Sequence, residues 1–568
     1  MSDVLLYDLS SQTEGSPTVF VKKDWLSILD NQNGSYSSNQ CVIDTSQLSN
    51  SNRFMSYREA YLQIPMVMTL TGDAFDTIKC NTAATSCDYA CGLKNWFGSI
   101  IHSIQVDWNG TTVIQQTNFS GLYNSFKLMT TLSPNDIITQ GAAMGFYPDD
   151  ALSVVFSAAD SVNGKGTCFT QNQVPTVPVT GTFNSYTTGN IGMIKRQQYI
   201  NYDPAGVAAL TSPDAGAATW ASLFTANSAK TAYKSHIFNK VDGAAAAYGC
   251  CQWAINGIVK LRHICDMFAK MPLLKGTFLK ITLQLNNSVV KFTSGGAGQA
   301  FTGVSVQVGS GGLSPLQLAS SAAGNGSATP FIAGAYTLSL AVGQKVLSSG
   351  QSNITLPSPM GVNVTLNVPS YVFDPEYEDA YASSPMKTIV YEDLYQYTVL
   401  NVTSGNSFNN LITNGLANIT KVLVLPYFTA DANGGLSPLV SPFDGAGTGV
   451  TSPLCLLQNF QILMSGANLL YNSQKYSYQE FVEQLSGCNS INGDLTDGLT
   501  SGLVGLLDFE TAYNYYFVNA SRYPAMEKRV PKSISIQGTN LSEKAIDMFV
   551  FLVYEQTISV DIRNGARV

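Results

Sequence analysis

The chain has 568 residues and a formal net charge of −8, and only 12% of its residues are charged, against roughly 25% in an ordinary soluble domain. This composition, with 45% hydrophobic residues, excludes a coiled coil and a charge-rich disordered chain. The 30 basic residues argue against a strongly basic nucleic-acid-binding surface, and the length suffices for two large β domains.

The N-terminal segment lacks the features of a targeting signal. Asp3 stands where a secretory signal would be basic, and no long apolar run follows it. The longest apolar run, Met548–Tyr554, is far shorter than the ~20 residues that span a bilayer. We therefore expect synthesis in a cytosolic compartment, no membrane span and reduced cysteines.

Strand-like segments follow one another along the chain. Asn109-Gly110 lies between two such runs and is the strongest local signal for a β-hairpin. The continuous apolar run Met548–Tyr554 predicts a strand that is buried on both faces. The predicted strands are, in chain order, Tyr61–Leu70, the hairpin Ile104–Ile114, Leu279–Leu285, Ala335–Val342, Lys421–Leu425 ending at Pro426, Ser533–Ile536, Met548–Tyr554 and Thr557–Ile562.

Helical signals are fewer and short. Ser133-Pro134 predicts an N-cap followed by proline at the first helical position. Ser477 and Glu480 form a capping-box pattern, and the helix that they begin should end at Gly487. Two further helices are predicted, at Leu261–Ala269 and Leu503–Tyr516.

Three long stretches rich in Gly, Ala or Ser interrupt these elements and predict loops, at Ala205–Ala247, Gly295–Gly350 and Ala430–Thr451. The second stretch, Gly295–Gly350, contains the best candidate domain boundary, which divides the chain into residues 1–295 and 296–568. An all-β chain with short helices and long insertions predicts sandwiches or jelly rolls, and the pattern alone does not choose between them.

The histidines and cysteines do not form a recognisable site. His102 is predicted to be a core or interface histidine, and His236 to lie in a loop. A zinc site from Cys250, Cys251, His263 and Cys265 is conceivable, but the spacing does not match known zinc modules. Cys80, Cys87 and Cys91 could bind a metal, but a reduced, cysteine-bearing loop is favoured. The sequence leaves open whether any of these cysteines form disulfides.

The densest acidic cluster is Asp374, Glu376, Glu378 and Asp379. Paired carboxylates can hydrolyse glycosides and several can bind calcium, but a solvated surface loop is favoured here.

Gly445–Gly449 lacks the Gly-Lys-Ser/Thr of a phosphate loop, and no nucleophile elbow is present. We predict no catalytic, cofactor-binding or metal-binding residues and no enzymatic activity. A chain so poor in charge and rich in aromatic residues is typical of proteins that contact copies of themselves.

Three regions, in order along the chain, resemble the double jelly-roll major capsid proteins of Polinton (Maverick) elements, Polinton-like viruses, virophages and adenovirus-like relatives. Leu93–Lys127 resembles their helix, strand, Asn-Gly turn and return strand. Leu261–Asn287 resembles the helix and strand that close the first jelly roll, and Asn367–Tyr397 resembles the beginning of the second. These motifs are structural, so their order and spacing carry the resemblance.

The resemblance implies an all-β fold of two tandem eight-stranded antiparallel jelly rolls with short helices and long loop insertions. It implies a homotrimeric, pseudo-hexagonal capsomer that tiles an icosahedral virion shell, made in the host cytoplasm and assembled in the host cytoplasm or nucleus. The implied partners are further capsomers, a penton protein and minor capsid proteins. No cofactor and no tight nucleic-acid binding are expected. The alternatives are a jelly-roll glycan-binding surface protein and an enzyme with paired jelly rolls.

Overall fold

The computed structural model describes residues 19–149, 248–429 and 437–567, with gaps inside each range, and five short elements between 154 and 240. The larger gaps inside the three ranges are residues 73–86, 295–300, 323–333, 344–362, 443–450 and 489–497.

Strands dominate the described residues. The first eighteen are β1 (Phe20–Leu29), β2 (Gln40–Asp44), β3 (Phe54–Met55), β4 (Tyr61–Gly72), β5 (Cys87–Leu93), β6 (Ile101–Trp108), β7 (Thr111–Ile114), β8 (Val154–Phe156), β9 (Cys168–Thr170), β10 (Gln198–Ile200), β11 (His236–Lys240), β12 (Tyr248–Lys260), β13 (Leu279–Leu285), β14 (Ser288–Ser294), β15 (Phe301–Val308), β16 (Leu316–Ala322), β17 (Gly334–Val342) and β18 (Thr365–Phe373). The remaining strands are β19 (Met386–Val402), β20 (Ser407–Leu416), β21 (Ile419–Phe428), β22 (Leu457–Met464), β23 (Ala467–Asn468), β24 (Tyr516–Asn519), β25 (Lys532–Asn540) and β26 (Ile546–Asp561).

The helices are short and lie between strands. They are α1 (Ser46–Ser49), a 3₁₀ turn (Phe97–Ile100), α2 (Ser120–Thr131), α3 (Pro134–Met144), α4 (Ile191–Arg196), α5 (Leu261–Ile264), α6 (Asp266–Lys270), α7 (Pro375–Ala382), α8 (Tyr478–Leu485), α9 (Leu506–Thr511) and α10 (Ala525–Lys528).

The last eight strands form two four-stranded antiparallel sheets. Numbered one to eight in chain order, they are arranged 1-8-3-6 (β19-β26-β21-β24) and 2-7-4-5 (β20-β25-β22-β23). Two facing sheets with this order form a jelly roll, which we call the C-roll. Met548, Val550 and Leu552 alternate along β26 and are fully buried.

The first half repeats both strand orders. Its sheets contain β1-β18-β4-β12 and β2-β13-β6-β7, which are again 1-8-3-6 and 2-7-4-5 when these eight strands are numbered along the chain. We call this unit the N-roll. The strand β18 takes the eighth position, because it pairs with β1 along its length and with β4 at Thr365–Asn367. The predicted fold of two tandem jelly rolls is confirmed by these strand orders.

The predicted boundary between residues 295 and 296 falls between β14 and β15, which are hydrogen-bonded neighbours in the N-roll sheet. The later strand β17 also pairs with β4, and β18 pairs with β1 and β4. The segment 296–373 is therefore joined to the N-roll by backbone hydrogen bonds. We propose instead that the two units divide in the stretch between β18 and β19, where α7 lies.

Several local predictions are confirmed. The hairpin β6–β7 turns at Asn109 and Gly110, whose φ angles of 47° and 80° suit an Asn-Gly turn. Ser133 caps α3, and Pro134 follows it at the start of the helix, as predicted. Ser477 forms a capping box with Glu480 at the start of α8. Gly487, with a φ of 71°, follows the end of α8.

Other predictions are wrong in their bounds or type. The strand β21 continues through Pro426, because β24 pairs with β21 only as far as Val424 and leaves the proline without a neighbour on that side. Leu503–Tyr516 is not one helix but the short α9 followed by the start of β24. Leu261–Ala269 is split into α5 and α6 at Cys265.

The stretch Gly295–Gly350 is a loop in part only. It contains β15 and β16 as well as the predicted strand at β17. The strand β15 pairs with β14, β16 pairs with β5, and β17 pairs with both β4 and β14. Most of Ala205–Ala247 and of Ala430–Thr451, including Gly445–Gly449, lies outside the described residues.

Candidate functional surfaces

The histidines lie in structural positions. His102 on β6 is 4% exposed, its ring lies 4.8 Å from the ring of Phe119, and burial lowers its pKa to about 4. The prediction of a core or interface histidine is confirmed. His263 on α5 packs near Trp96, and burial followed by nearby cations lowers its pKa to about 3. The prediction that His236 lies in a loop is wrong, because it begins β11, which pairs with β12.

The cysteines are spread over several elements. Cys265 lies between α5 and α6, and burial raises the pKa of its thiol to about 12, so the group stays protonated at neutral pH. Cys250 and Cys251 lie on β12. Cys87 and Cys91 lie on β5, so the prediction of a cysteine-bearing loop is wrong for these two, whereas Cys80 falls outside the described residues. In the described part of the chain no three His, Cys, Asp or Glu side chains lie together as metal ligands would.

The acidic cluster begins a helix, so the prediction of a loop is wrong. The Asp374 side chain caps α7 by accepting a hydrogen bond from the Glu376 amide at 3.2 Å, and Pro375 occupies the first turn. None of the residues of α7 is buried, and Glu378 pairs with Lys275 of the N-roll. The cluster is therefore a solvated helix surface between the two rolls rather than a cleft.

The two rolls meet through an aromatic interface. The helix α2, which belongs to the N-roll, lies against the 1-8-3-6 sheet of the C-roll. The Phe126 ring lies 5.0 Å from that of Tyr515 and 5.5 Å from that of Phe517. Phe119, just before α2, lies 4.8 Å from Phe549. The buried apolar residues of both rolls consequently form one continuous cluster.

Polar contacts fix the same junction. The Tyr391 hydroxyl donates a hydrogen bond to the Val113 carbonyl at 2.8 Å, and Thr117 Oγ1 donates one to the Leu394 carbonyl at 2.8 Å. The Glu392 amide donates to Asp266 Oδ2 at 3.0 Å. These bonds join β19 of the C-roll to the N-roll and define the position of one roll on the other.

A small cavity lies at this junction and is lined by residues of both rolls, including Lys127, Asp266 and Asp393. Its volume of about 30 Å³ has room for about one or two waters, which is too small for an organic substrate. Asp393 accepts hydrogen bonds from the Tyr554 hydroxyl at 3.0 Å and from Gln556 Nε2 at 3.3 Å. Burial raises the pKa of Asp393 to about 6.

Asp266 has the opposite environment. Burial acts to raise its pKa, but the charge of Lys127, whose Nζ lies 3.5 Å away, and the hydrogen bond from Glu392 outweigh burial, so the pKa of Asp266 is lowered. Sequence reasoning missed both carboxylates, because neither belongs to a motif and only the meeting of the two rolls buries them.

The C-terminal segment also crosses between the rolls. The indole Nε1 of buried Trp108 donates a hydrogen bond to the Gly565 carbonyl at 2.9 Å, and Asn109 Nδ2 donates to the same oxygen at 3.1 Å. Gly565 has a φ of 63°, and a Cβ there would lie 2.7 Å from the Lys275 carbonyl oxygen. Only glycine fits this close approach without strain. The C-terminal segment around Gly565 is therefore part of the junction between the two rolls.

Exposed apolar side chains are concentrated on the first strand of each roll. Both β1 and β19 are edge strands of their sheets. On β1 these side chains are Phe20, Val21, Trp25 and Leu29, and on β19 they are Met386, Val390, Tyr395, Tyr397 and Leu400. Apolar groups on an exposed sheet edge mark a surface that can associate with another chain.

No protein-family model and no curated protein matches the chain. Solved structures do. A chain of the Sputnik virophage has a TM-score of 0.46 and 11% identity, with 98% of this chain and 89% of that chain covered. The mavirus major capsid protein has a TM-score of 0.44 and 10% identity, with 100% and 94% covered. The Faustovirus major capsid protein has a TM-score of 0.40 and 10% identity, with 96% and 91% covered.

The chain is similar in fold to viral major capsid proteins. The strand orders of its own two sheets per roll, rather than these likenesses, define it as a double jelly roll. No helix in the described residues is long and apolar enough to cross a bilayer.

Proposed function

We propose that this chain is a major capsid protein, without enzymatic activity, that forms pseudo-hexagonal trimeric capsomers and tiles an icosahedral virion shell. The observation that carries the proposal is the union of two rolls with identical strand orders through one buried, hydrogen-bonded junction. One chain thus holds two similar units in a constant relation. Three such chains around a threefold axis place six similar units in a ring, which gives a near-hexagonal outline from threefold symmetry.

The surface supports association with identical chains. The sequence carries few charges, and the first strand of each roll exposes apolar side chains at a sheet edge. Contacts within a trimer would bury part of this apolar surface, and the many weaker contacts between trimers would add up across a shell.

The further partners are a penton protein at the fivefold vertices and minor capsid proteins, with the virion as the site of action and assembly in the host cytoplasm or nucleus. The net charge of −8 favours a shell that leaves tight genome binding to other proteins. Purified capsomers should therefore bind DNA weakly. Tight binding with a steep salt dependence would contradict this part of the proposal.

The test of the proposal is the native mass of the full chain by light scattering, followed by electron microscopy of the same peak. We expect a particle of about 183 kDa, three times the chain mass of 60.9 kDa, with a hexagonal outline. A chain that remains at 60.9 kDa at high concentration, with and without co-expressed assembly factors, would refute the trimer.

A further inference from the structure

The shared strand order gives the outer face of the 1-8-3-6 sheet of the C-roll a counterpart on the N-roll. On the C-roll, the outward side of the 1-8-3-6 sheet carries Phe549 and Phe551 of β26, which alternate with the inward Met548 and Val550. Phe551 lies in register with Leu423, and Leu423 with Phe517. This face is buried, because α2 of the N-roll covers it.

The counterpart face on the N-roll is exposed along β1 and at the start of β4. Trp25 and Leu29 on β1 are 49% and 57% exposed, and Tyr61 and Gln63 on β4 alternate with the fully buried Leu62 and Ile64. The Trp25 ring lies 5.5 Å from that of Tyr61. Leu29 on β1 and Gln63 on β4 are both in register with Thr365 of β18, which lies between them. We call Trp25, Leu29, Tyr61 and Gln63 the acceptor face.

The element that covers the C-roll face indicates what would cover the acceptor face. The helix α2 belongs to the connection between strands five and six of the N-roll. The same connection in the C-roll contains α8 and α9. We call its residues 498–511 the donor segment. In this segment Leu499, Leu506 and Leu507 are 65%, 55% and 51% exposed. The donor segment also touches the internal junction, since the Leu503 amide donates to the Met129 carbonyl at 2.8 Å.

The charges of the two surfaces are complementary. The donor segment contains two acidic residues, Asp508 and Glu510, and no Lys or Arg. On the acceptor side, Lys23 lies over the Trp25 ring, and Lys260 is in register with Tyr61. Arg262 adds a positive charge near Lys260, and the acidic neighbours are Glu59 at Lys23 and Asp136 at Lys260. A net negative segment would therefore meet a net positive face.

We infer that the acceptor face binds the donor segment of a second copy of this chain. The contact joins two different surfaces and repeats, between chains, the geometry that α2 makes within the chain. A head-to-tail contact that repeats the internal step closes into a ring of six rolls, and hence three chains, when each step turns by about 60°. The inference rests on the proposed trimer and names the surfaces that build it.

The test uses two variants of the full chain, each of which disables one surface. Trp25→Asp places a charge on the acceptor face, and the double substitution Leu506→Asp with Leu507→Asp places charges on the donor segment. Met526→Asp is the matched control, because Met526 is 87% exposed and lies outside both surfaces. We expect about 183 kDa for the unaltered chain and the control, and 60.9 kDa for each surface variant, with at least about a 30-fold loss of affinity.

Mixing the two surface variants separates this contact from any other. The Trp25→Asp chain keeps its donor segment and the double variant keeps its acceptor face, so a mixture has one intact contact and cannot close a ring. We expect a 1:1 complex of about 122 kDa, twice 60.9 kDa. If the mixture stays monomeric, the acceptor face does not bind the donor segment and the inference is overturned.

The remaining outcomes distinguish the inference from the function on which it rests. A monomeric unaltered chain would overturn the trimer and this inference together. A trimeric unaltered chain whose two surface variants also remain trimers would leave the trimer standing and overturn the assigned surfaces alone. Circular dichroism checks that each variant is folded. If Trp25→Asp is not, Leu29→Asp, on the same face and more exposed, replaces it.

Discussion

Acidification should destabilise the fold through His102. The imidazole is buried on β6 against Phe119, and its Nδ1 has no hydrogen-bond partner among the described residues, so a proton there would add a buried donor without an acceptor. The unfolded chain takes up this proton near pH 6.5, whereas the folded chain resists it until about pH 4. Because the unfolded state then binds more protons, stability falls as the pH falls through this window.

The magnitude follows from the difference between the two pKa values. At about 1.4 kcal/mol per pH unit, His102 lowers the free energy of unfolding by about 2 kcal/mol at pH 5 and by about 3 kcal/mol near pH 4. His263 acts in the same direction, because burial and nearby cations lower its pKa to about 3. Asp393 opposes them. Its folded pKa of about 6 lies above its unfolded value of 3.8, so acidification from pH 7.5 to 5 restores about 1 kcal/mol.

The assay is urea unfolding at pH 7.5 and at pH 5.0, at constant protein concentration, for the unaltered chain, His102→Phe and Asp393→Asn. The phenylalanine keeps an aromatic ring against Phe119 but cannot titrate. Its loss of stability between the two pH values should be about 2 kcal/mol smaller than that of the unaltered chain. Asp393→Asn should make the loss about 1 kcal/mol larger. An unchanged pH dependence in His102→Phe would refute the reasoning.

Three further substitutions test the junction and the interior. Gly565→Ala should lower the free energy of unfolding by about 1–2 kcal/mol because of its positive φ, and by about a further 1–3 kcal/mol because the new Cβ overlaps its neighbours and hydrogen bonds are lost. Gly405→Ala is the control, since Gly405 also has a positive φ but no atom of the described residues near its Cβ position, so it should show only the first loss. Equal urea midpoints would contradict this. Phe126→Ala, at the interface of the rolls, should cost about 3–5 kcal/mol in the same assay, and a loss below about 1 kcal/mol would show that the aromatic contacts do not hold the rolls together. The buried Asp149 carboxylate lies 2.5 Å from the Arg196 guanidinium, so Arg196→Met leaves it without its charge partner and should lower the free energy of unfolding by about 3–5 kcal/mol. If the unpaired charge is the cause, adding Asp149→Asn to Arg196→Met should restore part of this loss.

Local sequence signals predicted local structure well. Asn109-Gly110 forms the expected hairpin because both residues tolerate a positive φ, and Ser477 with Glu480 satisfies the first amides of α8. The buried strand β26 was predicted from its apolar run, although the two predicted pieces form one strand. In each case the residues that decide the conformation lie within a few positions of one another.

The sequence was a poorer guide where the deciding partner lies far along the chain. The strands β15 and β16 lie in a Gly- and Ser-rich stretch that predicts loops, and they form because β14 and β5 offer them a sheet edge. The acidic stretch that begins at Asp374 forms α7, and its Asp-Pro start was an N-cap signal that could have predicted the helix.

The sequence by itself determined the β-rich class, the hairpin and the capped helices, because side-chain alternation, turn residues and caps act over a few residues. Only the tertiary structure decided that β18 pairs with strands more than 290 positions earlier, and our proposed division between the rolls rests on that pairing. It alone also decided the titration of Asp393 and the exposure of Trp25. Burial depends on which sheets face each other, and the free energy of packing, rather than local propensity, makes that choice.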